Sequence, residues 1–314
     1  MLADIASVGF KVENFTNANM ATLEANWSAI RNALVRTVEL VASFGLNGQT
    51  LRADSALLPI AYYLYARSAA DNYVTHGQYA ADRETIRRWL ACSLLKASGI
   101  WGSGLDTLLT ALREVIQKSG KDAFPDGQLR QEMESRGKSL TFAPAEIDDL
   151  LSMQYGDKRL FALLSLLFSF VDLRNQFHID HVFPISHFTS ARLRRAGISE
   201  PKIEELGRLA NELPNLQLLE GTVNIEKRAA LPAAWLRTRY PTESDREHYR
   251  SIHLLGVVPE GIEGCEEFWA ARRERLREKI TAVSNPMALQ TSQKVQEQDA
   301  AEIGRHRAPR QAGA

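Results

Sequence analysis

Cysteine is nearly missing from this chain. Cys92 and Cys265 are the only two among 314 residues, and they stand far apart. No Cys-x-x-Cys pair exists, so a zinc knuckle is not indicated, and two distant thiols give a disulfide framework no support. An excess of one charge is missing too: Lys plus Arg and Asp plus Glu number 38 each, for a formal net charge of zero. That argues against coating nucleic acid by bulk charge, but it leaves open a local basic stripe that grips phosphates. Long apolar runs are absent as well. The longest, residues 160–171, contains Ser165 and Ser169 and falls short of the roughly 20 residues that cross a bilayer. The N-terminus has no cationic start followed by an apolar stretch, so no secretory signal is evident. A soluble, cytoplasmic protein with no membrane partner is expected, and no internal repeat is visible.

What is present is a chain of 45% hydrophobic residues, long enough for about two domains. The first half reads as helix after helix. Leu23, Trp27, Ile30, Leu34, Val38 and Val41 form one stripe at three-four spacing, closed by Gly45 where a left-handed C-cap belongs. Asp54 or Ser55 can cap a second helix, with Pro59 in its early turns, and Asp82 a third. Ser103 opens a fourth helix, Pro144 a fifth, and residues 158–170 a sixth. Asp126-Gly-Gln-Leu-Arg130 reads as a turn before a helix. Trp27, Trp89, Trp101 and Tyr62 are core candidates before they are base-stacking candidates. The expected fold is mainly α: an all-α domain over 1–172, a small strand-containing module over 173–240, helices over 241–284 that pack on it, and a disordered tail over 285–314, which has few large apolar side chains.

Period-two alternation is confined to two places, around 177–183 and 216–219. The first reads Phe177-His-Ile-Asp-His-Val-Phe-Pro184. The second opens Asn215-Leu-Gln-Leu-Leu-Glu-Gly-Thr-Val-Asn224-Ile-Glu-Lys227. Hydrolysis of a phosphodiester requires a base to deprotonate water, a cation to offset developing charge, and in-line attack. His181 suits the base, being neutral at physiological pH. Asp180 is a hard oxygen ligand for Mg²⁺ or Mn²⁺, and Asn224 can add a neutral carbonyl oxygen. Asn215 can orient His181, and Lys227, one turn after Asn224, can hold a flanking phosphate. His178 shares the strand parity of Asp180 and is a further ligand or phosphate contact. Asp180 and His181 are neighbours, so they serve one phosphate only if the strand twists or ends there; Pro184 is consistent with an ending.

Each piece has a plainer reading. Asn215 can terminate a turn after Pro214, Asn224 can be a helix-start residue, and Lys227 can be a solvated surface lysine. Arg192, Arg194 and Arg195, in the polar segment 186–211, can be a solvated face or a nucleic-acid contact. Beyond Thr222 a helix over 225–236 is expected, kinked or split by Pro232, with further helices near 243–254 and 264–283.

The order of a leucine-rich helix, Asp172-Leu-Arg-Asn, His178-Ile-Asp-His-Val-Phe-Pro, Pro214-Asn-Leu-Gln-Leu-Leu and Asn224-x-x-Lys resembles the HNH region of GmrSD-type modification-dependent restriction endonucleases and SspE-like phage-defence nucleases. Ala56-Leu-Leu-Pro-Ile-Ala-Tyr-Tyr-Leu and Ile86-Arg-Arg-Trp are similar to that family's helical region, so the resemblance covers most of 20–280. It implies a ββα-metal fold cutting double-stranded DNA, modified or foreign, with Asp180 and Asn224 on Mg²⁺ or Mn²⁺, His181 as base and Asn215 as its orienter. It also implies a nucleotide-hydrolysing sensor domain or separate subunit, whose Asp-Gly-Gln-Gln-Arg motif is only superficially echoed at Asp126–Arg130. A non-catalytic DNA-binding or docking subunit, and an RNA-cleaving toxin, remain as alternatives.

Overall fold

The structure is a computed structural model that describes residues 1–5, 8–9, 11–48, 50–168, 170 and 177–284. The Asp172–Asn175 motif and the expected tail over 285–314 lie outside the described residues. The described chain is mainly helical, with a single two-stranded sheet. Its first half comprises α1 (Asn17–Ala25), α2 (Trp27–Ser43), α3 (Leu57–Ala66), α4 (Ala80–Leu95), α5 (Ala97–Ile100), α6 (Leu105–Ser119), α7 (Asp126–Ser135), α8 (Pro144–Leu151) and α9 (Leu160–Leu167). The second half runs β1 (Phe177–His181), α10 (Ser190–Arg195), α11 (Glu200–Leu209), β2 (Leu216–Glu220), α12 (Gly221–Lys227), α13 (Pro232–Arg239), α14 (Glu243–Ile252) and α15 (Cys265–Ser284). No helix among the described residues is long and apolar enough to cross a membrane.

Local signals explain most boundaries. Gly45 adopts φ +75° after α2, as a left-handed C-cap requires. Pro144 and Pro232 each start a helix, where their missing N–H costs nothing. The helix expected over 225–236 is two helices: α12 stops at Lys227, Arg228 takes a left-handed φ of 46°, and Pro232 restarts the chain as α13. Asp126 is the first residue of α7 rather than part of a turn before it, and it pairs with Arg130 at 2.8 Å one turn on.

Two expectations from the helical half are corrected. The apolar stripe of residues 23–41 is not the buried face of α2. Ile30 and Val41 are buried together with Ala33, Thr37 and Leu40, whereas Trp27 and Val38 are 56% and 63% exposed. Asn26 breaks the helix, and the face turned inward is the one carrying the small residues Ala33 and Thr37. Asp82 does not cap α4 but lies in its first turn. Its carboxylate accepts from the Tyr63 and Tyr73 hydroxyls at 2.6 Å each, from Arg67 at 2.7 Å and from the Phe124 N–H at 2.7 Å. Four donors on one carboxylate hold α3 and α4 to the chain before α7.

The described residues form two apolar cores. One gathers helices α2 to α9 together with Leu216 and Leu218 of β2 and Leu276 and Ile280 of α15. The other joins Val182, Phe183, Leu219, Trp235, Tyr249, Phe268 and Trp269. Strand β2 thus carries one core on each face, and α15 runs past both. Arg272 of α15 is fully buried; its guanidinium donates to the carbonyls of Pro214 at 2.8 Å and His253 at 3.1 Å. It has no ion pair among the described residues, and burial pulls its pKa down to about 9.

His253 is buried against Arg272, stacked on Tyr249 with ring centroids 4.0 Å apart. Burial first, and the Arg272 charge second, lower its pKa from 6.5 to about 3. Below pH 6.5 the unfolded chain therefore takes up a proton that the folded chain refuses until about pH 3. The stability attached to neutral His253 is whole above pH 6.5 and is lost as pH falls toward 3, by up to about 1.4 kcal/mol per pH unit. His253→Phe is expected to flatten the fall of Tm between pH 6.5 and 4. Thermal melts of both proteins across that range check this, and parallel slopes would count against it.

Candidate functional site

The antiparallel register sets the site. Asp180 lies opposite Gln217, His181 opposite Leu216, and His178 opposite Leu219. Opposed residues share a face and neighbours alternate. Phe177, Ile179 and His181 therefore face one way, with Phe177 and Ile179 packed on the first core, and His178, Asp180 and Gln217 face the other. Helix α12 packs across both strands, which brings the face of Lys227 to the Asp180 side.

Asp180 is held from two directions. Gln217 donates to its Oδ2 at 3.1 Å, and Lys227 Nζ stands 2.9 Å from the same oxygen. Lys227 also donates to the His181 carbonyl at 2.6 Å. It is only 1% exposed, which overturns its expected role as a surface grip for a flanking phosphate: the ammonium points inward. Burial lowers its pKa, and the Asp180 carboxylate opposes that shift. Behind Gln217, the buried Tyr249 hydroxyl donates to Gln217 Oε1 at 3.2 Å, so the amide that steadies Asp180 is itself anchored.

His181 is the last residue of β1. Its Nε2 lies 3.1 Å from Asn211 Oδ1. Asn211 Nδ2 donates to the Gly207 carbonyl at 3.0 Å, which fixes which end of the amide faces the imidazole. An amide oxygen can only accept, so Nε2 carries the proton and Nδ1 is the basic nitrogen. The Tyr155 ring lies against the imidazole, centroids 4.8 Å apart and tilted by 35°. Burial lowers the His181 pKa; Asn211 and the Asp180 charge oppose this and Lys227 adds to it. The net effect keeps the imidazole neutral near pH 7.

Asn215 does not orient His181. It is fully buried, and its side chain serves backbone: Oδ1 accepts from the Phe183 N–H at 2.8 Å, while Nδ2 donates to the carbonyls of Phe183 at 2.9 Å and Ala210 at 2.7 Å. Its own carbonyl accepts from Val182 N–H at 2.7 Å. Asn215 thus clamps the chain leaving β1 to the chain entering β2, and the orienting contact belongs to Asn211.

Asn224 is half-buried on α12, one turn before Lys227 and so on the same helical face. Its side chain makes no hydrogen bond among the described residues. His178 is exposed on the face of Asp180. Arg192, Arg194 and Arg195 lie on α10, not in a loop. Arg194 is tied to Glu200 at 2.5 Å and Arg192 approaches His187 Nδ1 at 3.4 Å, while exposed Arg195 makes no ion pair among the described residues.

Three neighbours of the site were not singled out in the sequence. Gln217 had a readable signal, a polar residue at the middle of the buried strand Leu-Gln-Leu-Leu. Asn211 lies in the turn two residues past the end of α11 and Tyr155 precedes α9 by five residues; neither position carries a local pattern. No protein-family model matches this chain, and no curated protein matches it significantly.

No three His, Cys, Asp or Glu side chains cluster among the described residues. A Mg²⁺ site does not demand three, since one or two carboxylates with waters and phosphate oxygens suffice. Asp180 and Asn224 carry hard oxygens of the kind such an ion takes, while a buried ammonium already stands 2.9 Å from the Asp180 carboxylate. Asn215→Ala is expected to leave three buried backbone groups unpaired and to cost roughly 3 kcal/mol, lowering Tm by about 6 °C or more. Calorimetry checks this, and an unchanged Tm would mean that the clamp is dispensable.

Proposed function

We propose that this protein is a divalent-metal-dependent endonuclease of the HNH type, in which β1, β2 and α12 form a ββα-metal unit. The observation that carries the reading is the Asn211–Gly207 arrangement around His181, which leaves Nδ1 as the basic nitrogen of a neutral imidazole at the end of β1, one residue on from an anchored aspartate. The resemblance to GmrSD-type enzymes directs the proposal to double-stranded DNA, modified or foreign, and to a role in defence against phage, with a separate sensor subunit or domain as partner.

His181 Nδ1 takes a proton from water as the water oxygen bonds to phosphorus. The bond from phosphorus to the leaving oxygen breaks, and that oxygen takes a proton from solvent. Asn211 holds the tautomer through the step and favours the imidazolium that forms. Gln217, anchored by Tyr249, keeps the Asp180 carboxylate in place. Asp180 and Asn224 would hold Mg²⁺ or Mn²⁺, which offsets charge on the phosphate and the leaving oxygen. Arg195, and Arg192 where it is not engaged by His187, are the α10 cations left to meet phosphates.

A second reading, a non-catalytic DNA-binding or docking subunit, is favoured by the Asp180–Lys227 ion pair, which neutralises the carboxylate assigned to the metal. Plasmid nicking with Mg²⁺ or Mn²⁺ separates the two. Wild type is expected to nick, and His181→Ala to lose about 100-fold or more. A gel shift that survives EDTA, with no cleavage under any metal, would favour the second reading. Digestion of RNA beside DNA distinguishes a toxin. In calorimetric titrations, Asp180→Ala and Asn224→Ala are expected to weaken Mn²⁺ binding and His181→Ala to spare it.

The pH profile gives an independent check. Because burial depresses the His181 pKa, log kcat/KM is expected to rise with slope one through a value below 6.5 and then level. Asn211→Leu removes a group that favours the protonated ring, so its acid limb is expected to move lower still, with a reduced plateau. An acid limb above 6.5 would remove His181 as the base.

A further inference from the structure

We infer that the Lys227 ammonium is a resident cation that competes with a divalent ion for the Asp180 carboxylate, so that the site takes up metal weakly until a phosphodiester is present. The inference rests on the nuclease reading and adds a mechanism of control to it. Three observations carry it. Lys227 Nζ stands 2.9 Å from Asp180 Oδ2, an oxygen already accepting from Gln217. Nζ also donates to the His181 carbonyl, so its position is set by two partners at once. The side chain is almost wholly buried, so water does not share in solvating the charge.

The consequence follows from charge balance. Asp180 and Lys227 cancel. A divalent ion added alone leaves two uncompensated positive charges in a space largely closed to water, and it draws the carboxylate from an ammonium whose remaining neighbour is a neutral carbonyl. A phosphodiester bound at the same time returns one negative charge and supplies oxygens to the divalent ion. Metal and nucleic acid are therefore expected to promote each other's binding, as linkage requires of any such coupling. Lys227 then acts by governing when the cation is admitted, not by touching the reacting atoms.

The test is Mn²⁺ titration of the full chain by calorimetry at fixed pH, without nucleic acid, comparing wild type with Lys227→Met, which keeps the length of the stem and removes the charge. The variant is expected to bind Mn²⁺ about tenfold or more tightly, the size of a typical coupling between sites. Equal or weaker binding overturns the inference. In the His181→Ala background, where no cleavage runs, a short DNA duplex is expected to tighten Mn²⁺ binding more when Lys227 is present than when it is Met; an equal gain overturns it. The double variant Asp180→Ala with Lys227→Met separates the two levels of argument. If it binds Mn²⁺ as well as Lys227→Met does, the ion sits elsewhere and the nuclease reading falls with the inference. If the ion requires Asp180 but Lys227→Met matches wild type, only the inference falls. Should Lys227→Met not fold, wild type decides: the Lys227 side-chain resonances are expected to move in step with Mg²⁺ binding, and Mg²⁺ binding without such movement overturns the proposal.

Discussion

Strand β2 lies between two apolar cores, with Leu216 and Leu218 on one side and Leu219 on the other. A slip of one residue would exchange every side chain between the faces, sending Gln217 into the larger core and Leu218 to the carboxylate of Asp180. The register is therefore fixed by hydrophobic burial on both sides, and the polar geometry around Asp180 inherits that precision. Asn215 reinforces it at the strand entrance by tying Phe183 and Ala210 together. The helical half of the protein thus has a definite bearing on the site: it supplies the apolar surface against which β2 cannot shift.

Much of this was legible beforehand. The alternation at 177–183 and 216–219 marked both strands, because nowhere else does the chain change from a period of 3.6 to a period of two. Pro232, Pro144 and Gly45 marked helix boundaries through their backbone restrictions alone. The stripe on α2 misled, since three-four spacing identifies a helical face without saying which of two apolar faces meets a neighbour. Asp82 misled for a related reason: a carboxylate near a helix start suits a cap, and only the arrival of Tyr63, Tyr73 and Phe124 from elsewhere in the chain reveals what it binds. Around the site, the identities of Asp180 and His181 could be read from their strand, but their partners could not. Asn211 and Asn215 are the same residue type four positions apart, and their duties are assigned by where the chain turns.

Buried cations recur near this sheet. Arg272 is satisfied by two carbonyls and Lys227 by a carboxylate and a carbonyl. Both are desolvated, and both carry a lowered pKa for that reason. The difference lies in the partner. Carbonyls at Pro214 and His253 belong to the fixed frame and cannot be recruited away, so Arg272 reads as a structural bolt. A carboxylate can serve another cation, which makes the Lys227 contact exchangeable in a way the Arg272 contacts are not.

Tyr155, which lies against the His181 ring, reaches it from the stretch before α9, and the same residue's N–H bonds the Asn211 carbonyl at 2.7 Å. The imidazole is thus flanked by one group contributed from upstream of the sheet and one from within the long connection between the strands. A fragment excised at the start of β1 would retain every residue assigned to the site from His178 to Lys227 and yet leave its histidine unsupported on one side. Transplanting the short motif into another scaffold would carry the same defect, so the portable unit is larger than its signature suggests.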